Sequence, residues 1–245
     1  MLFLKKMKSD ILGKIIDFIF EMKKTTFFLI IIFILGFGLR LIAAINLGVA
    51  ADEMHFALEP INFISAGRMV TWGQSSGLWH AYTDFVYQTF GVGQLSSRFA
   101  ALIFGSLSIF LIYLLSREFF EEKISLLSAF LLAIDPFHIK STIAEMDVMV
   151  MFFVLISMIL FVKAVKTNKI KYYVTSGLFI GLALYTKVYP ILFVPSLLLY
   201  FIYHNRKMKR KTFSKMNIQK IFLFLLFVFV FSIPTLTHNY LLYKD

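Results

Sequence analysis

Apolar residues in this chain come in long runs. Leu, Ile, Phe and Val fill stretches of sixteen or more positions with hardly a charge between them, about what a helix needs to cross a hydrocarbon core of roughly 30 Å. Seven spans are predicted, at 26–47, 99–116, 124–137, 148–165, 174–186, 188–204 and 221–236. The third and fifth are short for full crossings, and the fifth and sixth can be read as one hairpin broken around Tyr189 and Pro190. Residues 1–24 follow another period: Leu4, Met7, Ile11, Ile15, Phe18 and Met22 share one helical stripe with lysines and acids opposite. That stripe predicts a helix lying in the membrane interface. The expected fold class is all-α: a polytopic transmembrane helical bundle over 25–245 behind an interfacial amino-terminal helix over 1–24.

Between the first two spans lies a loop, 48–97, too long to be a mere connection. It holds both tryptophans, Trp72 and Trp79, with His55 and His80, and amphipathic stretches such as 56–64. Short amphipathic helices on the bilayer surface are expected there, with the aromatic rings at headgroup level. A second, shorter outer loop is placed at 138–147.

Charge settles the expected orientation. Nineteen Lys and Arg fall on the amino-terminal side of the spans and six on the other, so the positive-inside rule predicts a cytoplasmic amino terminus. With the acids included, the inner face carries +13 and the outer face −2. Composition agrees with a membrane protein: of 245 residues, 59% are hydrophobic and 16% charged. The net charge of +11 follows from topology and anionic lipid, and nucleic acid is not an expected partner. Having no cysteine, the chain is excluded from disulfides, thiol catalysis and cysteine-ligated metals.

The chemistry is expected at the outer ends of the spans. Asp52 and Glu53 open the long loop; adjacent acids on a helix diverge, so one can face a site while the other is held by a structural partner. Glu145 and Asp147, at i and i+2, are candidate ligands for Mg or Mn if a loop bends them together, or they complement the dipole of the fourth helix. Arg98, Lys140 and Lys187 accompany these acids and suit a lipid-linked phosphate, or snorkel to headgroups. Arg40, inside the first span, either snorkels or pairs with a buried acid such as Glu53 or Asp147. His138, His204 and His238 read as interfacial. Gly177-x-x-x-Gly181 allows close helix packing.

Four segments in order resemble the GT-C class of polytopic glycosyltransferases, in particular the protein O-mannosyltransferase and lipid A aminoarabinose transferase group. They are Asp52-Glu53 after the first span, Phe90-Gly-Val-Gly leading to Arg98 and Phe99-Ala-Ala-Leu-Ile-Phe-Gly105, Ser116-Arg-Glu-Phe-Phe120 with Asp135-Pro-Phe-His-Ile, and Gly181-Leu-Ala-Leu-Tyr-Thr-Lys187. Where members often carry a proline pair, this chain has His80-Ala-Tyr-Thr-Asp84. Members usually continue for several more spans, so the chain reads as a fragment, a minimal relative or a relative without activity.

The resemblance implies an enzyme that moves a sugar from a polyprenyl-phosphate donor to a protein or lipid acceptor on the non-cytoplasmic face, by inverting displacement with Asp52 as base. Arg98, Lys140, Lys187 or a divalent metal at Glu145 and Asp147 would stabilise the departing phosphate. A transporter or flippase for a lipid-linked sugar, or a silent membrane subunit, are the alternatives.

Overall fold

A computed structural model describes residues 23–49, 51–63, 77–209 and 214–242. The expected interfacial helix at 1–24, apart from its last two residues, lies outside them, as do Arg68 and Trp72. The described chain is helical throughout, in the order α1 (Lys24–Asn46), α2 (Ala51–Leu58), α3 (Gly77–Phe90), α4 (Gln94–Arg117), α5 (Glu122–Ile134), α6 (Pro136–Lys140), α7 (Met146–Thr167), α8 (Ile170–Thr186), a 3-10 turn (Tyr189–Leu192), α9 (Phe193–Lys207) and α10 (Lys215–Leu242).

Four of these helices are long and apolar enough to cross a membrane: α1, α4, α7 and the Lys215–Pro234 part of α10. At the other three expected spans the helices α5, α8 and α9 run for 13, 17 and 15 residues. That is roughly 20 to 26 Å of helix at 1.5 Å per residue, short of a perpendicular crossing. The third expected span runs to residue 137, but α5 stops at Ile134 because Asp135-Pro136 cannot continue it. The sixth begins five residues late, since the chain around Pro190 first makes the 3-10 turn. The first loop is shorter than predicted, because α4 starts already at Gln94.

Packing order follows side-chain size. α7 is apolar on every face and is the most buried of the spans. It lies between α4 and α8, and α8 in turn is covered by α10. Gly177 and Gly181 of α8 let α10 approach closely: a Cβ on Gly177 would overlap the Phe224 carbonyl oxygen, and one on Gly181 would overlap the Cβ of Phe231. Ser157 of α7 and Ser176 of α8, both buried, each donate to the other's backbone carbonyl, at 2.8 and 2.9 Å. On the other side, Ser125, Ala129 and Ala133 make a stripe of small residues on α5, and a Cβ on Gly36 of α1 would collide with Ile109 of α4. Small residues at helix contacts are how bundles pack in lipid, where apolar surface gains nothing by leaving the solvent.

Arg40 lies fully buried in α1, and its partners correct the expectation that it snorkels or pairs with Glu53 or Asp147. Pro136 has no N–H to give the Leu132 carbonyl, and the Phe137 N–H goes to Asp135 Oδ1 at 3.0 Å instead of to Ala133. Arg40 supplies both missing donors: Nη2 to Leu132 O at 2.9 Å and Nη1 to Ala133 O at 3.1 Å. Nη1 also bonds the Gly36 carbonyl and Nη2 donates to His138 Nδ1, each at 2.9 Å. His138 is therefore a buried member of this knot and not an interfacial residue.

Two predictions follow from the packing. Gly181→Val should lower stability by about 1–3 kcal/mol through overpacking, while Gly38→Ala, with nothing within 4 Å of the new Cβ, should be neutral or stabilising by up to about 1 kcal/mol; thermal unfolding in detergent compares them. Burial, and then the Arg40 charge, hold His138 down to about 4, against an ordinary value near 6.5 in the unfolded chain. Between those values the unfolded state binds the extra proton, so stability falls on acidification. The melting temperature should drop from pH 7 to pH 5 by more in the wild type than in His138→Gln.

Candidate active site

The upper end of the bundle, where α1 finishes and α4 begins, gathers most of the predicted site residues. α2 opens with Asp52 and Glu53 in its first turn, where the helix dipole favours anions. As neighbours on a helix they diverge: Glu53 is 3% exposed, and Asp52 faces solvent. Glu53 accepts from Arg98 Nε, and from Nη2 at 2.8 Å.

Arg98 lies fully buried in the first turns of α4. Its remaining N–H groups serve the end of α1, whose last carbonyls have no helical partner. Nη1 donates to Ala44 O at 2.8 Å and Leu47 O at 2.9 Å, and Nη2 to Gly48 O at 3.2 Å. A guanidinium has five N–H donors, and each of Arg98's has an acceptor. A phosphate could be bound by Arg98 only by breaking one of these bonds. Asp52, by contrast, has no hydrogen bond or ion pair among the described residues.

α2 hangs from α3 by its carbonyls. Trp79 Nε1 donates to Phe56 O at 3.0 Å and the Tyr87 hydroxyl to Ala57 O at 2.7 Å. Trp79 is fully buried, which corrects its expected place at headgroup level. Burial chiefly, with Glu53 adding and Ser97 opposing, pushes the Tyr87 phenol up to about 12, so it remains a donor. Gly77 starts α3 directly over Tyr185 of α8, a contact too close for any side chain. Beyond α2, Glu59 lies 3.2 Å from Nε2 of the buried His80, whose ring stacks on Phe63.

The second acidic group meets the same end of the bundle. Asp147, in the first turn of α7, accepts from Lys187 Nζ through both oxygens, at 2.9 and 2.8 Å. Lys187 caps the carboxyl end of the antiparallel α8, so each charge complements its own helix dipole as well as its partner. Burial, and then the adjacent Asp147 carboxylate, hold the Tyr189 phenol well above its usual range. Lys187 Nζ also lies 5.8 Å from the centre of the Phe56 ring. Phe56 is one helical turn beyond Asp52 on α2, and residues four apart share a helix face. Asp52 thus lies one helical turn from the ring that Lys187 meets.

The remaining candidates do not join. Lys140 is exposed at the end of α6, and Glu145 precedes α7 without a side-chain capping bond. Among the described residues no three His, Asp or Glu side chains converge as metal ligands. An ion held by Glu145 and Asp147 would have to displace Lys187 and would still lack a third carboxylate or imidazole among them. The residues present thus do not fit the expected Mg or Mn site. Phe56, Trp79, Tyr87 and Tyr189 were not legible as site residues; their only sequence signal is aromatic crowding around the acids.

Comparison with known proteins bears on the family of the chain. Residues 78–238, from α3 into α10, match the family described as dolichyl-phosphate-mannose-protein mannosyltransferase. Over 112 residues the chain is 35% identical to the undecaprenyl phosphate-alpha-4-amino-4-deoxy-L-arabinose arabinosyl transferase of Wigglesworthia glossinidia brevipalpis. That match covers 43% of this chain and 20% of the relative. No solved structure matches significantly. Asp147, Lys187, Arg98 and the helices that carry them lie within the matched segment, and a match over more than half of its length identifies this membrane protein as a member of the dolichyl-phosphate-mannose-protein mannosyltransferase family.

Proposed function

We propose that this protein is a glycosyltransferase moving a sugar from a polyprenyl-phosphate donor to a protein or lipid acceptor at the non-cytoplasmic face. The observation that carries this reading is Asp52: a solvent-facing carboxylate without a partner among the described residues, on a helix pinned by the Glu53–Arg98 pair, one turn from the ring that contacts Lys187. In an inverting displacement Asp52 takes the proton of the acceptor O–H as its oxygen bonds to the sugar's anomeric carbon. The bond from that carbon to the phosphate oxygen breaks, and the polyprenyl phosphate leaves with the electron pair. Asp52 then gives its proton to water.

The departing charge needs a cation. Lys187 suits this better than Arg98: an ammonium has three N–H groups, and two of Lys187's go to Asp147. Arg98 acts instead as a positioning residue. Lys140, exposed at the end of α6, is left to the lipid headgroups. An apolar groove of about 360 Å³ lined by Leu184, Val188, Val194 and Val228 starts beside Lys187 and gives an isoprenoid chain a path into the bilayer. The charged groups Asp52, Asp147 and Lys187 all stand at helix ends, which favours chemistry at the rim over translocation through the midplane.

Two measurements test this. With the purified chain in nanodiscs, dolichyl-phosphate mannose and undecaprenyl-phosphate aminoarabinose serve as labelled donors. Asp52→Asn should lower transfer at least about 100-fold without changing the melting temperature, and full transfer by that variant excludes it as the base. Arg98→Met strands a buried carboxylate and should cost about 3–5 kcal/mol. Arg98→Met combined with Glu53→Leu should recover much of that stability but not the transfer rate, because α2 is no longer anchored to α1 and α4.

A further inference from the structure

The end of the bundle opposite Asp52 carries more cations than the chain itself answers. Between Asp147 and Asp245 the sequence has thirteen Lys and Arg and no Asp or Glu. Lys166 bonds Glu118 and Lys220 bonds Asn168. Arg206, Lys207 and Lys209 at the end of α9, and Lys215 at the start of α10, are exposed and form no ion pair among the described residues. The α4–α5 turn, which holds Glu118, meets α9 on another face, where the Phe119 ring lies against Tyr200.

Those four cations stand at the mouth of an apolar groove. α9 leans on α7, and its Phe201 ring meets Tyr173 of α8, while α10 leans on Gly177 and Gly181 of α8. The gap left between α9 and α10 measures about 340 Å³ and is lined by Leu198, Phe201 and Ile202 on one side and Ile218, Ile221 and Leu225 on the other. Ile218 is 55% exposed, so the groove opens toward the surrounding membrane. Asn217 marks its lower end, and from there to Leu225 α10 rises about 12 Å. Arg206 follows Ile202 by one turn of α9, and Lys215 precedes Asn217 by two residues.

An occupant must therefore be apolar along its length and negative at one end. Residues 1–22, the amphipathic segment of this chain, bring four lysines against three acids and no negative charge. A second copy seated by the same face would bring the same cations to the same mouth. A phospholipid with an anionic headgroup meets both demands, because basic groups beside a membrane attract such lipids. We propose that the α9–α10 groove binds one anionic phospholipid, with an acyl chain along Leu198, Ile221 and Leu225 and the phosphate at Arg206 and Lys215.

Native mass spectrometry tests this on the full chain, taken in mild detergent from vesicles of equal phosphatidylcholine and phosphatidylglycerol. The wild type should retain one phosphatidylglycerol in preference to phosphatidylcholine by at least about tenfold, as two basic groups beside one phosphate should give. Arg206→Gln combined with Lys215→Gln should remove the preference. Ile221→Trp, which fills the groove, should abolish retention, and Ile218→Trp at an exposed lining position does the same without disturbing the core. Lys163→Gln with Lys171→Gln, which removes the two cations beside the Tyr172 ring, should change nothing. Equal retention of the two lipids by the wild type overturns the proposal, as does undiminished retention in both Trp variants. So does an equal loss in the Lys163 and Lys171 variant, which marks general attraction to a positive face. A lipid-free dimer that Ile221→Trp dissociates identifies a second copy as the occupant and overturns it too. None of these outcomes bears on Asp52 and the transfer reaction.

Discussion

A buried cation has to be answered on every side, and in this protein the guanidinium of Arg98 determines how the upper end of the bundle closes. Taking an arginine out of water is expensive unless its charge and its hydrogen bonds are both met. Glu53 meets the charge, and the end of α1 meets the rest with the Ala44, Leu47 and Gly48 carbonyls. One side chain thus joins α1, α2 and α4. The helix ends gain as well, because carbonyls that would otherwise face lipid or protein unpaired are capped. The consequence for chemistry is indirect: with Glu53 locked inward, its neighbour Asp52 is turned outward.

The same device recurs in Arg40, one helical turn before Ala44 on α1. Arg40 takes the carbonyls that Pro136 and the Asp135 cap leave open, and so holds the turn between α5 and α6 against α1. Both arginines repair breaks in regular structure at the same end of the bundle. At the opposite end Lys220 is buried and donates to Asn168 Oδ1 at 2.6 Å, while Lys166 meets Glu118 at 2.7 Å with both side chains partly exposed. Exposed pairs of that kind contribute little to stability. At the upper end the two arginines are desolvated and bonded on nearly every N–H, whereas Asp52 beside them faces solvent.

Between the two ends, stability comes from shape. Glycines, alanines and serines line the contacts of α8 with α10 and of α5 with α1 and α4, while large side chains such as Phe27, Ile34, Ile42 and Phe222 point outward. That inversion of the soluble pattern is expected when the surroundings are themselves apolar. It also leaves grooves where two helices diverge, as between α9 and α10 around Leu198, Ile221 and Leu225.

Much of the fold was legible in the linear chain. Long apolar runs bounded by charge predict helices and a membrane, since no other backbone arrangement of that composition satisfies its hydrogen bonds in lipid except a closed barrel. The divergence of Asp52 and Glu53 was legible too, because it follows from helical geometry alone. The pairings were not. Which of the two acids would turn inward, that Arg98 rather than Lys187 would be consumed by it, and that Arg40 would answer carbonyls instead of a carboxylate all depend on contacts 45 to 93 residues apart in sequence. Periodicity reports which face of a helix is apolar, and it carries nothing about the partner across the bundle. Only the packed structure decides where each charge finds its counterpart.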